Sequence, residues 1–187
     1  MNLAGQFICG ILNLLFIFGS GSVYAQEGEP AHKDGGHKPK IRGAIMMANS
    51  HVPKSFEGEK KIVVLPTWGL DVDYFFHPHW SAAVQADIIL QDFEVEIENA
   101  VLERVTPVAL VGALHCHALR HWSFYLGTGV ELAKDENFFM IRLGTEYSFE
   151  ITENFEIGLN LIFDNKDAVY DTWTFGVAFN KKLWGRE

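Results

Sequence analysis

Only two cysteines occur in the 187 residues, Cys9 and Cys116. Cys9 falls in a stretch that reads as a leader, so Cys116 has no intramolecular partner once that leader is gone and no disulfide framework is expected. Positive charge is also short: 15 Lys and Arg stand against 24 Asp and Glu, a net charge of −9. That balance argues against nucleic acid, which needs a basic face, and against docking on anionic lipid by charge alone. No apolar run reaches the roughly 20 residues of a spanning helix; the longest, residues 7–18, is interrupted by Gly10 and Asn13. What is plentiful is apolar and aromatic side chain, 48% and 13% of the chain, which excludes a disordered polypeptide.

Residues 1–25 read as a cleaved signal peptide. The apolar run is followed by Gly and Ser, and Val23-Tyr24-Ala25 places small residues before a cut at Gln26. A basic n-region is missing, and an uncleaved anchor is the alternative, for which the run is too short. Residues 26–40 are polar and rich in Gly, His and Lys, and are expected to form a flexible periplasmic tail. His32 and His37 in it would bind a metal only weakly.

From Ile41 onward the pattern has a period of two, the mark of strands with two unlike faces. Eight strands are predicted, over residues 41–50, 62–76, 80–90, 105–118, 122–132, 138–150, 155–163 and 172–183. In the second, Ile62, Val64, Pro66, Trp68, Leu70, Val72, Tyr74 and Phe76 oppose Thr67, Gly69, Asp71 and Asp73. In the fifth, Trp122, Phe124, Leu126, Val130 and Leu132 oppose Ser123, Tyr125, Gly127, Gly129 and Glu131. The sixth sets Phe139, Ile141, Leu143, Tyr147 and Phe149 against Met140, Arg142, Gly144, Glu146 and Ser148. The fourth is apolar on both faces, so its phase is undetermined, as is that of the first. Tight turns at 77–79, 119–121 and 152–154 alternate with longer connections at 50–61, 91–104, 133–137 and 164–171. Short turns at one end and longer loops at the other describe an all-β, eight-stranded antiparallel up-and-down transmembrane barrel over residues 41–187, with both termini at the periplasmic end.

The bulky face must then look outward. A narrow eight-stranded lumen is filled by side chains, and the opposite face carries small residues together with Asp71, Asp73, Asp87, Glu131, Arg142 and Glu146. Arg42 joins them if the first strand has the matching phase. A soluble ligand-binding barrel would want the reverse arrangement, an apolar lumen. Tyr74, Phe76, Tyr147 and Phe149 precede tight turns, and Trp80, Trp122 and Phe155 follow them, as in the aromatic girdle of a membrane interface.

The segments His51-Val52-Pro53, 66–74 (PTWGLDVDY), 137–149 (NFFMIRLGTEYSF) and 170–183 (YDTWTFGVAFNKKL) resemble small porin-family outer-membrane barrel proteins of Bacteroidetes-type, Gram-negative bacteria. The resemblance spans nearly the whole mature chain and implies no catalytic residues. One departure is the last strand: its lipid-phase position is Leu183, whereas barrels of this kind end on an aromatic, and Trp184 falls in the other phase.

Chemistry-bearing constellations are few. The lumen charges read as a plug of salt bridges, with a cation or proton route, or a polar-solute site, as the sharper alternatives. No metal is expected; His77, His79, His117 and His121, with His115 on the same two hairpins, would supply the imidazoles if there were one. Ser50 and His51, facing Glu94, Glu96 and Glu98 on the longest loop, are the nearest approach to a lipid-modifying site, without a compact signature. The alternating Glu and apolar residues of 93–98 read as a solvated ribbon edge that could extend the third and fourth strands as a hairpin, with binding of divalent cations that bridge lipopolysaccharide phosphates as the sharper alternative. The expectation is an outer-membrane protein of structural or interaction type with a plugged polar lumen. It would be monomeric and need no cofactor, with outer-membrane lipid and the barrel-assembly machinery as partners. A narrow channel or solute site is the first alternative and a lipid-modifying enzyme the second.

Overall fold

The computed structural model describes residues 41–56, 59–97, 100–134, 136–167 and 169–183. Residues 1–40, which hold the expected leader and the expected tail with His32 and His37, and residues 184–187 with Trp184 lie outside the described residues. Ten strands are present among them: β1 (Ile41–Phe56), β2 (Glu59–His77), β3 (Trp80–Ile89), β4 (Phe93–Ile97), β5 (Ala100–Arg104), β6 (Val108–Cys116), β7 (Trp122–Leu132), β8 (Phe138–Thr152), β9 (Phe155–Lys166) and β10 (Tyr170–Leu183). Eight of them close a barrel in the order β1-β2-β3-β6-β7-β8-β9-β10, and β10 returns to pair with β1; β4 and β5 form a separate two-stranded sheet. Every pairing is antiparallel.

The register fixes the barrel's shape. Stepping sideways from Ile41 through Tyr74, Ala82, Leu114, Leu126, Leu143, Phe163 and Trp173 arrives at His51, ten residues further along β1. For eight strands with that stagger, a rise of about 3.3 Å and a spacing of about 4.8 Å, the strands tilt by roughly 40° from the axis. The resulting cylinder admits side chains and little else.

The alternation settles the two open phases. On β6, Leu110 and Leu114 are exposed on the outside while Ala109, Val111, Ala113 and His115 are buried inside. On β1, Ile41, Ile45 and Met47 face out and Arg42, Ala44, Met46 and Ser50 face in. Five strands run past the predicted boundaries: β8, β9 and β10 by two or three residues, and β1 and β2 furthest at the end where they meet, since β1 reaches Phe56 and β2 begins at Glu59. The connection expected at 50–61 is therefore mostly ladder; Pro53 and the Lys and Glu around it masked the alternation. The Glu-rich segment does form a hairpin, but β4 and β5 break away from β3 and β6 instead of extending them. Thr106 holds a positive φ of 43°, and Asp92 Oδ1 accepts hydrogen bonds from its amide at 2.9 Å and its hydroxyl at 3.1 Å, clasping the two legs together.

Inside, large residues on one strand rest over glycines on the next. The Tyr125 ring lies across Gly144, stacks on His115 at 4.5 Å and donates its hydroxyl to Asn160 Oδ1 at 3.3 Å. A β-carbon at Gly144 would enter that ring, whereas one at Gly43 meets nothing nearer than 4.0 Å. Gly144→Ala is therefore expected to lower the unfolding free energy by about 1–3 kcal/mol, and Gly43→Ala to leave it nearly unchanged. Urea titration of the detergent-folded protein measures both, and equal midpoints for the two variants would contradict this packing.

Candidate functional site

Among the described residues the lumen gathers the buried ionisable groups, and alternation along the barrel strands delivers most of them there. All six sequence-predicted lumen residues point inward, Asp71 half-buried and the other five buried. They separate into three levels instead of one cluster. Near the short-turn end, Arg42 donates to Asp73 at 2.8 Å and to Glu146 at 2.9 Å, with Glu156 at 3.9 Å. Glu146 also accepts from Ser148 at 3.0 Å, Asn160 at 3.1 Å and Asn180 at 3.3 Å.

At mid-height, Arg142 grips Asp164 with two parallel hydrogen bonds of 2.7 and 2.9 Å. Its remaining Nη1 reaches Asp87 at 2.5 Å and Gln85 at 3.2 Å, and Gln85 in turn faces Asp71 at 3.5 Å. The fork geometry suits a guanidinium and would not suit lysine. At the long-loop end, Glu131 receives Lys166 at 2.5 Å, the Tyr170 hydroxyl and the guanidinium of Arg104.

Asp164, Lys166, Glu156 and Arg104 were absent from the sequence-based set. For the first two the signal was there: the inward phase of β9, read from Glu156, Gly158 and Asn160, continues through Ile162 to Asp164 and Lys166. Glu156 carried the right phase but was not counted among the lumen charges. Arg104 arrives from the separate hairpin, and no periodicity could have placed it in the barrel.

Several buried polar atoms have no protein partner: one carboxylate oxygen each on Asp71, Asp73 and Asp87, both ring nitrogens of His115, and Asn180 Oδ1. His115 lies deep in the lumen, away from the rim, with Nδ1 3.7 Å from Asp73. The rim histidines are engaged individually. His117 bonds Ser123 Oγ through Nδ1 at 2.8 Å and Ser81 Oγ through Nε2 at 3.0 Å, and stacks on Phe75. Burial, reinforced by the Arg42 charge, holds the His117 ring below its ordinary pKa. His121 Nδ1 faces the Ser148 carbonyl at 3.0 Å, and His77 Nδ1 accepts the His79 amide at 3.2 Å. Among the described residues, no three His, Cys, Asp or Glu side chains converge on a metal position.

Ser50 and His51 do not assemble into a catalytic pair. Ser50 faces the lumen, within 2.7 Å of both Thr67 and Thr174, while His51 stands on the opposite face edge-on to Phe175. The side chains of Glu96 and Glu98 lie outside the described residues. Of the aromatics expected to form a girdle, Tyr74, Phe76, Trp80, Trp122 and Phe149 are exposed on the outer wall, and Tyr147 and Phe155 are half-buried there among neighbouring rings.

Space is unevenly divided. The short-turn mouth opens into a cavity of about 530 Å³ bounded by Arg42, Phe75, His117, Arg120, Glu156 and Lys182. Around Arg142 and Glu131 only about 20 Å³ is free. The clamp at Arg142 therefore stands at the narrow part of the lumen. Arg142→Met would strand Asp87 and Asp164 without their cation and is expected to cost about 3–5 kcal/mol. Adding Asp87→Asn and Asp164→Asn should restore most of that loss. Urea midpoints of the two variants test it, and a triple variant no better than the single one would refute the clamp.

No family model matches the chain, and no curated protein matches it. Solved structures do. Ail, the attachment invasion locus protein of Yersinia pestis, superposes with a TM-score of 0.53 at 16% identity, covering 76% of this chain and 99% of Ail. Neisserial surface protein A aligns with a TM-score of 0.53 at 10% identity, over 77% and 97% of the two chains. The outer membrane protein OprG from Pseudomonas aeruginosa aligns with a TM-score of 0.50 at 13% identity, over 80% and 99%. At such identities the likeness is one of fold, and that fold is the small eight-stranded antiparallel barrel of outer-membrane proteins.

Proposed function

We propose that this chain is an outer-membrane β-barrel protein of structural or interaction type, with a plugged polar lumen. The observation that carries the reading is the inversion of the barrel wall. Ile45, Trp68, Leu70, Val84, Leu114, Leu126, Ile141, Leu159 and Phe175, drawn from all eight barrel strands, are exposed on the outside while the arginines and carboxylates are enclosed. Soluble monomers rarely expose contiguous apolar patches beyond a few hundred Å²; a belt around the whole circumference suits hydrocarbon. Closure supports the same reading, since a barrel pairs the ladder groups that a bilayer would leave unsatisfied.

The proposal extends to export through a signal peptide cut before Gln26 and to a Gram-negative host of Bacteroidetes type. Its partners are outer-membrane lipid and the barrel-assembly machinery, and it acts as a monomer. It does not include recognition of sulfated polyanions, although Ail was crystallised with the heparin analogue sucrose octasulfate. Among the described residues the long-loop end exposes Asp92, Glu94, Glu103, Glu136 and Asp167 against Lys134, and an excess of negative charge disfavours polyanions.

Two measurements test the reading. Leu126→Arg, on the outer wall near the middle of β7, should weaken folding into liposomes by about 2–4 kcal/mol. A mature protein that is freely soluble without detergent and indifferent to this substitution would overturn membrane residence. In planar bilayers the protein should be silent, because the Arg142 level leaves no continuous path; regular unitary current steps would favour the narrow-channel alternative.

A further inference from the structure

The β4–β5 hairpin is built differently from the rest of the molecule. It has its own ladder, Phe93 opposite Arg104 and Val95 opposite Leu102, and shares no ladder with the barrel. Its inner side, Phe93 and Val95 with half-buried Leu102, packs on Val52, Leu65, Ile89, Phe138 and Tyr170. Lower in the lumen apolar residues such as Met46, Val111 and Met140 are interspersed with charged ones; at this mouth the apolar side chains gather and meet the hairpin.

Among the described residues, Arg104 crosses from hairpin to barrel with its side chain fully buried. Arg104 donates to Glu131, and to the Glu136 carbonyl at 2.5 Å, and lies over the Phe138 ring at 4.5 Å. The acceptor does not depend on it. Glu131 retains Lys166 at 2.5 Å and the Tyr170 hydroxyl when Arg104 is taken away, and Arg104 would be hydrated in the open position. Breaking this contact therefore strands no charge, unlike the Arg142 clamp, whose removal strands two. The legs are tied by the Asp92–Thr106 clasp and flanked by backbone bonds from Ile89 to Pro107 at 3.1 Å and from Leu90 to Pro66 at 3.0 Å. A unit with its own ladder, a clasped base and a compensated latch can lift without opening the barrel.

We propose that β4–β5 is a lid over the long-loop mouth, that it moves as one body about the Asp92–Thr106 base, and that Arg104 is its latch. Lifting uncovers the apolar chamber walled by Val52, Leu65, Ile89 and Phe138. The Arg142 level below stays shut, so the device exposes a blind recess and does not open a pore. The inference is independent of which membrane, if any, the barrel occupies.

Hydrogen–deuterium exchange on the full chain in detergent tests it. Amides of 93–95 and 101–104 should exchange together, and faster than those of β3 and β6. Arg104→Met should speed the hairpin amides by about tenfold to a hundredfold while leaving β3, β6 and the gel shift between boiled and unboiled samples unchanged. A second variant, in which a short Gly-Ser linker replaces residues 91–105, should still fold to a heat-modifiable barrel. The proposal fails if the hairpin is protected as strongly as β3, if Arg104→Met accelerates β3 and β6 equally or changes nothing, or if either variant cannot fold.

Discussion

A closed antiparallel ladder with a stagger of ten leaves its inward face almost no solvent, and that confinement governs everything else in this protein. An isolated ion in so narrow a lumen would cost several kcal/mol, and the buried carboxylates Asp73, Asp87, Glu131, Glu146 and Asp164 each meet a cation within a few ångströms, whereas half-buried Asp71 faces only Gln85. Arg142, held by Asp164 and Asp87 at mid-height, is where the condition is met most tightly. β3, β8 and β9 supply the three side chains, and β3 and β9 lie on different sides of β8 around the ring, so the clamp ties together strands that share no ladder. Small residues elsewhere on the inner face, such as Gly144 beneath Tyr125, make room for side chains that cross the lumen.

Much of this was legible in the sequence, for a simple reason. A strand embedded between two unlike media writes both media into its residues with a period of two. The strands β2, β3, β7, β8 and β10 carry that signal cleanly, and the inward placement of Asp71, Asp73, Asp87, Glu131, Arg142 and Glu146 follows from it directly. β6 did not, because its inward positions are filled by Ala109, Val111 and Ala113, which look as apolar as its outward ones. The pairings themselves were illegible. Alternation states which way a carboxylate points but not its height in a tilted barrel, so three separate ion clusters looked like one. Register decides height, and register depends on the stagger, which no single strand reveals.

The three charge levels differ in what they permit. Removing either arginine from the lower two strands buried carboxylates, so those levels are permanent braces. The upper level has a surplus: Glu131 is served by Arg104, Lys166 and Tyr170 at once, and one of them arrives from outside the barrel ladder. Redundancy of that sort is what allows a contact to be made and broken, and it occurs at the end of the molecule where the chain departs from the up-and-down pattern. The sequence could not announce it, since the hairpin's Glu and apolar alternation reads like any other exposed ribbon.

The interior is thus rigid in the middle and different at its two ends. The short-turn mouth keeps an open cavity beside Arg42 and Lys182, while the other mouth is filled by Phe93 and Val95. A pore would need the two ends to communicate, and between them stands the Arg142 brace, with about 20 Å³ of free volume beside it. Widening the lumen enough for a hydrated ion would require parting a bidentate guanidinium from carboxylates that have nowhere else to place their charge. The two ends are chemically unlike: one is an open cavity lined by histidines, aromatics and paired charges of both signs, the other is apolar beneath the hairpin. Sidedness follows from side-chain packing alone, without any motion of the barrel.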